Sequence, residues 1–283
     1  MLLYKYSKEE CLREFQNIII NSGRYNSNVA YNKNILTFNE HFYKKENEMW
    51  KNEEIRNKII KNRMYYLNQK HGKVGGVEKP ENLTDKELLR GFKISGTHIG
   101  YSHFSPFWIK AFIEEFNIIS IYDPCGGWGH RLLGAWNIDY YYNDINIETV
   151  NGVKNIFNLY LQFNKKEKMF FNEDSANFIP PIKYDCVFTC PPYFNTEIYK
   201  EPFKNFELFI NWWDNTIKNA LNGCKKYFAF VVNNKYKDVM NKICLKNNLV
   251  YLKEQLVGSN QKNHFQRNSS RSNKGESIQI FKI

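Results

Sequence analysis

From residue 117 onward, short apolar runs rich in β-formers alternate with longer runs of helical spacing. This alternation predicts a mostly parallel, doubly wound sheet, because a helix must carry the chain back between parallel strands. Strands are predicted at residues 118–122, 140–143, 169–172, 185–189, 226–232, 249–257 and 277–283. Helices are predicted at 129–136, 147–163, 206–222 and 235–247. The last two strands lack an intervening helix and are expected to form an antiparallel hairpin.

The first part of the chain lacks this alternation. Residues 1–95 contain stretches of helical spacing at 8–20, 38–45, 52–69 and 85–90, the last introduced by a capping-box pattern at Thr84–Glu87. We therefore predict a helical extension over residues 1–95, followed by one α/β domain over residues 96–283. A segment rich in Ser, Asn, Gln, Lys and Arg, residues 258–275, is predicted to be a long polar loop between the last two strands.

Composition excludes several classes of protein. With 283 residues, 42% hydrophobic and 17% aromatic, the chain has enough apolar material for a large core. It contains no apolar run near the roughly 20 residues that a membrane-spanning helix needs, and the first ten residues show no signal-peptide pattern. The six cysteines form neither a CxxC pair nor a Cys/His zinc spacing. We expect a reduced, cytoplasmic protein with no metal and no membrane partner.

A glycine-rich turn follows the first predicted strand. It reads Asp-Pro-Cys-Gly-Gly-Trp-Gly over residues 123–129 and leads directly into a predicted helix. Glycines there allow a sharp turn and a close approach of the backbone to a ligand. The turn lacks the GxGxxG spacing of dinucleotide sites and the Lys-Ser/Thr pair of a P-loop. A tight strand–helix connection is the alternative interpretation of such a turn taken alone.

Two more acids follow the next two strands. Asp144 lies 21 residues after Asp123, where nucleotide-binding α/β sheets place a ribose-binding carboxylate. Asp174 ends the third strand and could accept a hydrogen bond from an adenine amino group. Each acid alone would more often be a helix cap or a solvated turn. Three acids at three successive strand ends favour a nucleotide-like ligand.

The fourth predicted strand ends in Thr189-Cys190-Pro191-Pro192-Tyr193. Together with the glycine-rich turn, this segment resembles the catalytic loop of S-adenosylmethionine-dependent amino-methyltransferases, which methylate adenine N6 or cytosine N4 in nucleic acid. The pattern of that family is Asp, Asn or Ser, then Pro-Pro, then an aromatic residue. The resemblance covers residues 96–283 and is closest to the orphan DNA methyltransferases of bacteriophages and their hosts. It implies a Rossmann-like seven-stranded methyltransferase sheet, mostly parallel with an antiparallel C-terminal hairpin.

The resemblance also implies roles for individual residues. The catalytic residues would be Cys190, Pro191, Pro192 and Tyr193. Residues 96–108 resemble the segment that covers the methionine end of S-adenosylmethionine. The residues implied to bind this cofactor are Phe104, Ser105, Asp123, Cys125, Gly126, Gly127, Gly129, Asp144, Ile145, Asp174 and Ser175.

The chemistry of amine methylation explains these residue types. An exocyclic base amine is a weak nucleophile, because its lone pair is delocalised into the ring. Acceptors for its hydrogens favour the pyramidal geometry that frees the lone pair. The prolines stiffen the loop and leave the Pro191 carbonyl as an acceptor. Tyr193, helped by Phe194, would stack against a base rotated out of the helix.

Cys190 departs from the family pattern, because sulfur is a weak acceptor. Thr189 or the Pro191 carbonyl could supply the polarisation instead. Alternatively, Cys190 could be a nucleophile, as in enzymes that methylate cytosine C5, although the following Pro-Pro-Tyr fits the amine class better. A third interpretation makes Cys190 a small buried strand residue and the prolines mere stiffeners.

The net charge is +11, but residues 117–258 carry only +2 of it, so most of the excess lies outside the predicted catalytic core. This distribution is expected if the flanking parts hold a polyanion, and an AT-rich coding sequence that favours Lys is the alternative explanation. After residue 258 there are five basic residues and one acid. We predict that Lys262, Arg267 and Arg271 of the polar loop hold the substrate backbone. DNA is the expected partner on family grounds, and RNA is an alternative. A protein that binds nucleic acid but has lost its activity is a further alternative.

Overall fold

The computed structural model describes residues 6–25, 39, 48–71, 79–84, 88, 104–194, 203–257 and 276–283. The predicted helices at 38–45 and 85–90 lie outside these residues, apart from Asn39 and Leu88. The polar loop at 258–275 also lies outside them. No described helix is both long and apolar enough to span a bilayer.

A seven-stranded sheet forms the centre of the fold. Its strands in chain order are β1 (Ser120–Asp123), β2 (Asp139–Asn143), β3 (Lys168–Phe171), β4 (Tyr184–Thr189), β5 (Cys224–Asn233), β6 (Val250–Leu256) and β7 (Glu276–Lys282). Their spatial order is β3-β2-β1-β4-β5-β7-β6. Strands β1 to β5 pair in parallel, whereas β7 is antiparallel to both β5 and β6. The predicted Rossmann-like sheet with an antiparallel C-terminal hairpin is thus confirmed.

Seven α-helices whose bounds are described accompany the sheet. They are α1 (Lys8–Ile20), α2 (Glu53–His71), α3 (Pro106–Phe116), α4 (His130–Gly134), α5 (Ile147–Leu159), α6 (Phe206–Leu221) and α7 (Asn234–Lys246). The helix predicted over residues 147–163 divides, because α5 ends before a short 3₁₀ turn, Leu161–Phe163. The helices predicted at 129–136, 206–222 and 235–247 and all seven predicted strands agree with the structure to within a few residues.

Helices cover both faces of the sheet. Every residue of β1 and β4 is buried, as expected for central strands of a parallel sheet. One apolar cluster joins β1, β2 and β4 to α3, α4 and α5, and a second joins β4, β5 and β7 to α6 and α7. Helix α1 contributes to the first cluster, since the Phe15 ring stacks on Tyr160 at 4.2 Å and meets Trp136 edge-on.

The parallel topology brings the ends of β1 to β4 to one edge of the sheet. Asp123, Asn143, Phe171 and Thr189 are the last residues of these strands. Each is followed by one of the segments in which the sequence predicts binding or catalytic residues. The carboxyl edge of an open α/β sheet is where such folds bind ligands.

Candidate functional site

A hydrogen-bonded bridge connects the glycine-rich turn with the Pro-Pro-Tyr loop. The Thr189 hydroxyl donates to the Asp123 carboxylate at 2.8 Å, and the Cys125 backbone N–H donates to the same hydroxyl oxygen at 3.2 Å. Strands β1 and β4 are direct neighbours, so the two predicted loops leave the sheet side by side. Because Thr189 is fully buried and committed to this bridge, it is not the acceptor for a substrate amine.

The turn after β1 requires its glycines for different reasons. Gly127 and Gly129 have φ angles of 59° and 98°, in the left-handed region that L side chains rarely adopt. Gly126 lies against Tyr142, where an added Cβ would approach the ring to within 2.0 Å. The Tyr142 hydroxyl in turn donates to the Gly127 carbonyl at 2.7 Å. The turn is therefore held close to the end of β2.

Asp123 lies beneath this turn and is fully buried. Its carboxylate accepts hydrogen bonds from Arg131 Nε at 2.6 Å and from the Tyr140 hydroxyl, besides Thr189. Burial lowers the pKa of Arg131, but the nearby charges, of which Asp123 is the strongest, together with the hydrogen bond to Asp123 raise it above its ordinary value. Arg131 thus supplies a cation to this carboxylate from within the protein, and a role of Asp123 in binding the cofactor stays a prediction. Sequence reasoning missed Arg131, which lies eight residues after Asp123 on the adjoining helix.

Arg131 also connects the turn to neighbouring segments. It donates to the Cys125 carbonyl and lies over the Phe104 ring, 5.3 Å from its centroid. The Cys125 thiol has a pKa raised by burial and by the charges of Asp123 and Asp144. Cys125 therefore stays a neutral thiol at the turn.

Asp144 binds the glycine-rich turn from β2. Its carboxylate accepts hydrogen bonds from the backbone N–H groups of Gly127 and Asn146, both at 2.9 Å. Burial raises the pKa of Asp144, while these two hydrogen bonds oppose the increase. The next residue, Ile145, is 71% exposed. The predicted roles of Asp144 as a ribose acceptor and of Ile145 in cofactor binding stay predictions.

The third predicted acid lies in a turn after β3. Asp174 Oδ1 accepts from Trp212 Nε1 at 2.9 Å and from the Ala176 backbone N–H at 3.0 Å. Ser175 is buried, and its hydroxyl donates to the Pro124 carbonyl. Asp174 is thus at the predicted place on the rim, whereas Ser175 ties the rim to the turn after β1. Trp212, on α6, was not found from the sequence.

Asn143, at the end of β2, joins three strand ends through one buried side chain. Its amide nitrogen shares its two hydrogens among three acceptors, the Pro124 carbonyl at 3.3 Å, the Glu173 carbonyl at 3.0 Å and the Ser175 hydroxyl at 2.9 Å. Its amide oxygen accepts from the Glu173 backbone N–H at 3.0 Å. The turns after β1, β2 and β3 are consequently cross-linked to one another.

The predicted catalytic loop begins at Cys190, which is partly exposed. Its Sγ lies 3.7 Å from the Tyr193 hydroxyl, and that hydroxyl donates to Glu276 Oε1 at 3.1 Å. Tyr193 is only 4% exposed, and Pro191 is buried beside it. The ring is therefore covered in this structure, and its predicted stacking on a base stays a prediction. Stacking a base on it requires the ring or its surroundings to move.

Glu276 begins β7 and was not found from the sequence. Burial raises its pKa, and the hydrogen bond from Tyr193 opposes the increase. Because β7 is antiparallel to β5, its first residue lies at the same edge as the last residue of β5, Asn233. A carboxyl group from the C-terminal hairpin thus reaches the Pro-Pro-Tyr loop.

The remaining predicted residues lie around this edge or outside the described residues. Phe104 is 2% exposed and packs edge-on against Phe188, so its ring forms part of the core beneath Arg131. Ser105 caps α3 by accepting from the Phe107 backbone N–H at 3.4 Å. Phe194 packs against Phe206 and Phe209. Lys262, Arg267 and Arg271 lie outside the described residues.

Comparison with known proteins gives matches only among solved structures. No family model and no curated protein matches the chain. The crystal structure of TrmN from Thermus thermophilus matches at TM-score 0.46 and 13% identity. The match covers 69% of this chain and 53% of TrmN, so this chain spans only about half the length of TrmN. Magnesium protoporphyrin IX methyltransferase (ChlM) from Synechocystis PCC 6803, with bound SAM, matches at TM-score 0.44 and 13% identity over 79% of this chain and 96% of that one.

An S-adenosylmethionine-dependent methyltransferase from Clostridium acetobutylicum ATCC 824 matches at TM-score 0.42 and 12% identity, over 61% of this chain and 87% of that one. Similarities this distant leave the assignment of function to the residues of the site.

Proposed function

We propose that this protein transfers a methyl group from S-adenosylmethionine to an exocyclic amino group of a base in DNA, namely N6 of adenine. The observation that carries the proposal is the bridge from Cys125 through Thr189 to Asp123, which brings the glycine-rich turn next to the Pro-Pro-Tyr loop. When bound, S-adenosylmethionine supplies an electrophilic methyl group. The residues of this edge supply its binding site and the acceptors for the amine.

The groups at the carboxyl edge fit the parts of the cofactor. The Asp144 carboxylate can accept hydrogen bonds from ribose hydroxyls, and exposed Ile145 offers an apolar surface to an adenine ring. The partly exposed Asp174 lies where it can accept from an adenine amino group. The turn over residues 126–129 would accommodate the methionine part. Asp123 contributes indirectly, by holding Arg131 beneath the turn.

On the substrate side, we propose that the Pro191 carbonyl accepts a hydrogen bond from the target amine. Cys190 occupies the adjoining position, and Pro192 stiffens the loop. Tyr193 would line the pocket for the extruded base once its ring is uncovered, with Phe194 packed behind it. The basic residues Lys262, Arg267 and Arg271 would contact phosphates, which position a substrate without reading its sequence.

The decisive experiment is nucleoside mass spectrometry after incubation with labelled S-adenosylmethionine and either DNA or RNA. Label in N6-methyladenine from DNA is the expected result. Label in N4-methylcytosine, in 5-methylcytosine or in RNA nucleosides would replace the proposed target with another. Absence of label from every nucleoside would contradict the proposal.

Cys190→Ser separates amine methylation from thiolate chemistry. In the alternative cytosine-C5 mechanism, a Cys190 thiolate would attack the base and form a covalent bond to it. The amine mechanism needs no covalent bond to sulfur, and we expect the variant to retain activity. Complete loss of activity, with a covalent adduct trapped on the wild type, would instead establish the C5 mechanism.

Asp144→Ala is predicted to weaken cofactor binding at least tenfold, because it removes the proposed ribose acceptor and a partner of the Gly127 N–H. Loss of hydrogen bonds to a charged group typically costs about 1.5–3 kcal/mol. Asp139→Ala is the matched control, since Asp139 lies at the opposite end of the same strand and accepts from the Glu167 N–H. Calorimetric titration with S-adenosylmethionine measures both. Equal affinities for the two variants would remove Asp144 from the binding site.

A further inference from the structure

The structure contains a chain of three polar side chains that the proposed amine chemistry does not by itself require. It runs from Cys190 Sγ to the Tyr193 hydroxyl over 3.7 Å, and from that hydroxyl to Glu276 Oε1 over 3.1 Å. Its first member is partly exposed at the candidate site, and its last is held at the start of β7. The chain thus leads from the position proposed for the substrate amine to the C-terminal hairpin.

The direction of the hydrogen bonds in this chain follows from the chemistry of its members. An ionised carboxylate only accepts hydrogen bonds, and a phenol has a single hydrogen to donate. Since the Tyr193 hydrogen is directed at Glu276, the contact with Cys190 is made by the thiol hydrogen towards the phenol oxygen. Every donor in the chain therefore points towards Glu276. This is the arrangement needed to move a proton to that carboxylate.

Amine methylation releases one proton. The amine nitrogen forms a bond to the methyl carbon while the bond from that carbon to the sulfonium sulfur breaks, its electron pair going to sulfur. The nitrogen then carries a positive charge and must lose one of its hydrogens. Bulk water is a poor destination inside a site that holds an extruded base, so an internal acceptor is useful.

Resting on the proposed function, we propose that Glu276 is the terminal proton acceptor of the reaction, reached from the substrate amine through Cys190 and Tyr193. The amine passes its proton to Cys190, which passes its own to Tyr193, which passes its own to the carboxylate. The thiol and the phenol end as they began, and Glu276 becomes protonated. Glu276 thus acts through Cys190 and Tyr193 and does not itself touch the substrate.

The surroundings of Glu276 suit a proton acceptor. Burial raises the pKa of its carboxyl group, which makes the carboxylate more basic than an exposed one. Several elements around β7 carry further titratable groups, among them Cys190 on the loop, Lys237 on α7 and Glu254 on β6. Lys237 and Glu254 form an ion pair with each other at 3.2 Å. Tyr193 is the group that donates to Glu276.

The first test is the pH dependence of kcat for wild type and for Glu276→Gln. The amide oxygen can still accept from Tyr193, so the variant preserves the hydrogen bond but loses the base. We expect kcat to fall about 100-fold, the lower end of the contribution of general acid–base groups. In the wild type, kcat should decline as the pH falls through the raised pKa of Glu276, and this decline should be absent from the variant. Glu254→Gln, on the adjoining strand, is the control and should behave as wild type.

Two further measurements guard against a variant that fails to fold. Tyr193→Phe retains the ring but removes the hydroxyl, and it should reduce kcat as Glu276→Gln does. Infrared titration of the carboxyl groups needs no turnover. The hydrogen bond from Tyr193 lowers the pKa of Glu276. Tyr193→Phe removes this bond, so the Glu276 carboxyl group should titrate at a higher pH in the variant.

The outcomes separate this inference from the proposed function. If the wild type labels amino groups and either variant keeps the wild-type kcat and pH profile, the relay is refuted while the methyltransferase proposal stands. An unchanged carboxyl titration in Tyr193→Phe would also refute the relay. If the wild type labels no amino group, the proposed function fails and the inference fails with it.

Discussion

Gly126 and Gly127 are neighbours in the turn after β1, yet the structure requires glycine at each for a different reason. Gly127 has a positive φ and open space around the position of a Cβ, with the nearest atom at 3.9 Å. Gly126 has no positive φ, but a Cβ there would meet the buried Tyr142 ring. The sequence predicts that the turn is tight. It could not predict the second reason, which depends on a residue of another strand.

We predict that Gly126→Ala destabilises the protein more than Gly127→Ala does. The first forces a methyl group into a packed ring, and overpacking costs typically about 1–3 kcal/mol. The second costs only the strain of a left-handed backbone, about 1–2 kcal/mol, and meets no clash. Urea unfolding followed by tryptophan fluorescence gives both values. If Gly127→Ala is the more damaging change, the steric argument is wrong.

At the same scale, the residues that sequence analysis found differ from those it missed in the kind of element that brings them to the site. Asp144 and Asp174 follow strands directly, so the parallel topology alone places them at the edge. Trp212 and Glu276 reach the site from an α6 helix face and from the antiparallel hairpin. Their positions depend on how distant elements pack, which no local pattern records.

At the scale of elements, strand and helix types were predictable, whereas their ends depend on caps. The first strand was predicted from residue 118 but begins at Ser120. Asn117 adopts a left-handed conformation that ends α3, and the Ile118 N–H bonds back to the Ile113 carbonyl. These contacts assign residue 118 to the helix end rather than to the strand. An apolar run cannot distinguish the two.

Lys168, the first residue of β3, provides a test at this scale. Its Nζ donates to the Trp136 and Ile138 carbonyls, and burial lowers its pKa from 10.5 to about 8. Between these values the unfolded chain binds more protons than the folded one, so the free energy of unfolding rises with pH. This contribution is complete above pH 10.5 and is lost as the pH falls through about 8.

We therefore expect wild type to gain stability relative to Lys168→Met between pH 8 and 10.5. At about 1.4 kcal/mol per pKa unit, the gain is on the order of 2–3 kcal/mol. Urea unfolding at several pH values measures it, and ionising tyrosines cancel in the difference. Lys165→Met, which changes an exposed residue of the preceding loop, should show no such trend. A flat difference for Lys168→Met would disprove the burial argument.

At the scale of the whole molecule, α1 is joined to the α/β core rather than only attached to it in sequence. Cys11, Phe15 and Ile18 lie in the same apolar cluster as the central strands. Lys110 Nζ donates to the carbonyls of Ile18 and Ile19, the last turn of α1, at 2.8 and 2.7 Å. The sequence predicts the helix itself. It does not reveal what the helix packs against, because periodicity identifies an apolar face and not its partner.

Phe15→Ala tests this packing. The substitution removes a buried ring in contact with Tyr160 and Trp136, and such changes cost about 3–5 kcal/mol. We expect the midpoint of global unfolding to fall in a single transition detected by both tryptophan fluorescence and circular dichroism. Ile20→Ala is the control, because Ile20 is 79% exposed. A separate early transition for α1, with the rest unchanged, would show that the helix folds independently.

The buried amide of Asn143 has a consequence for recognition. Since it fastens the turns after β1, β2 and β3 to one another, these rims cannot shift separately when a molecule enters the cleft between them. The binding site is therefore preorganised, and little conformational entropy is lost from these turns when a ligand binds. We expect a ligand to bind at the turns after β1, β2 and β3 without changing their conformation. Rearrangement on binding should be confined to the Pro-Pro-Tyr loop, where Tyr193 is covered.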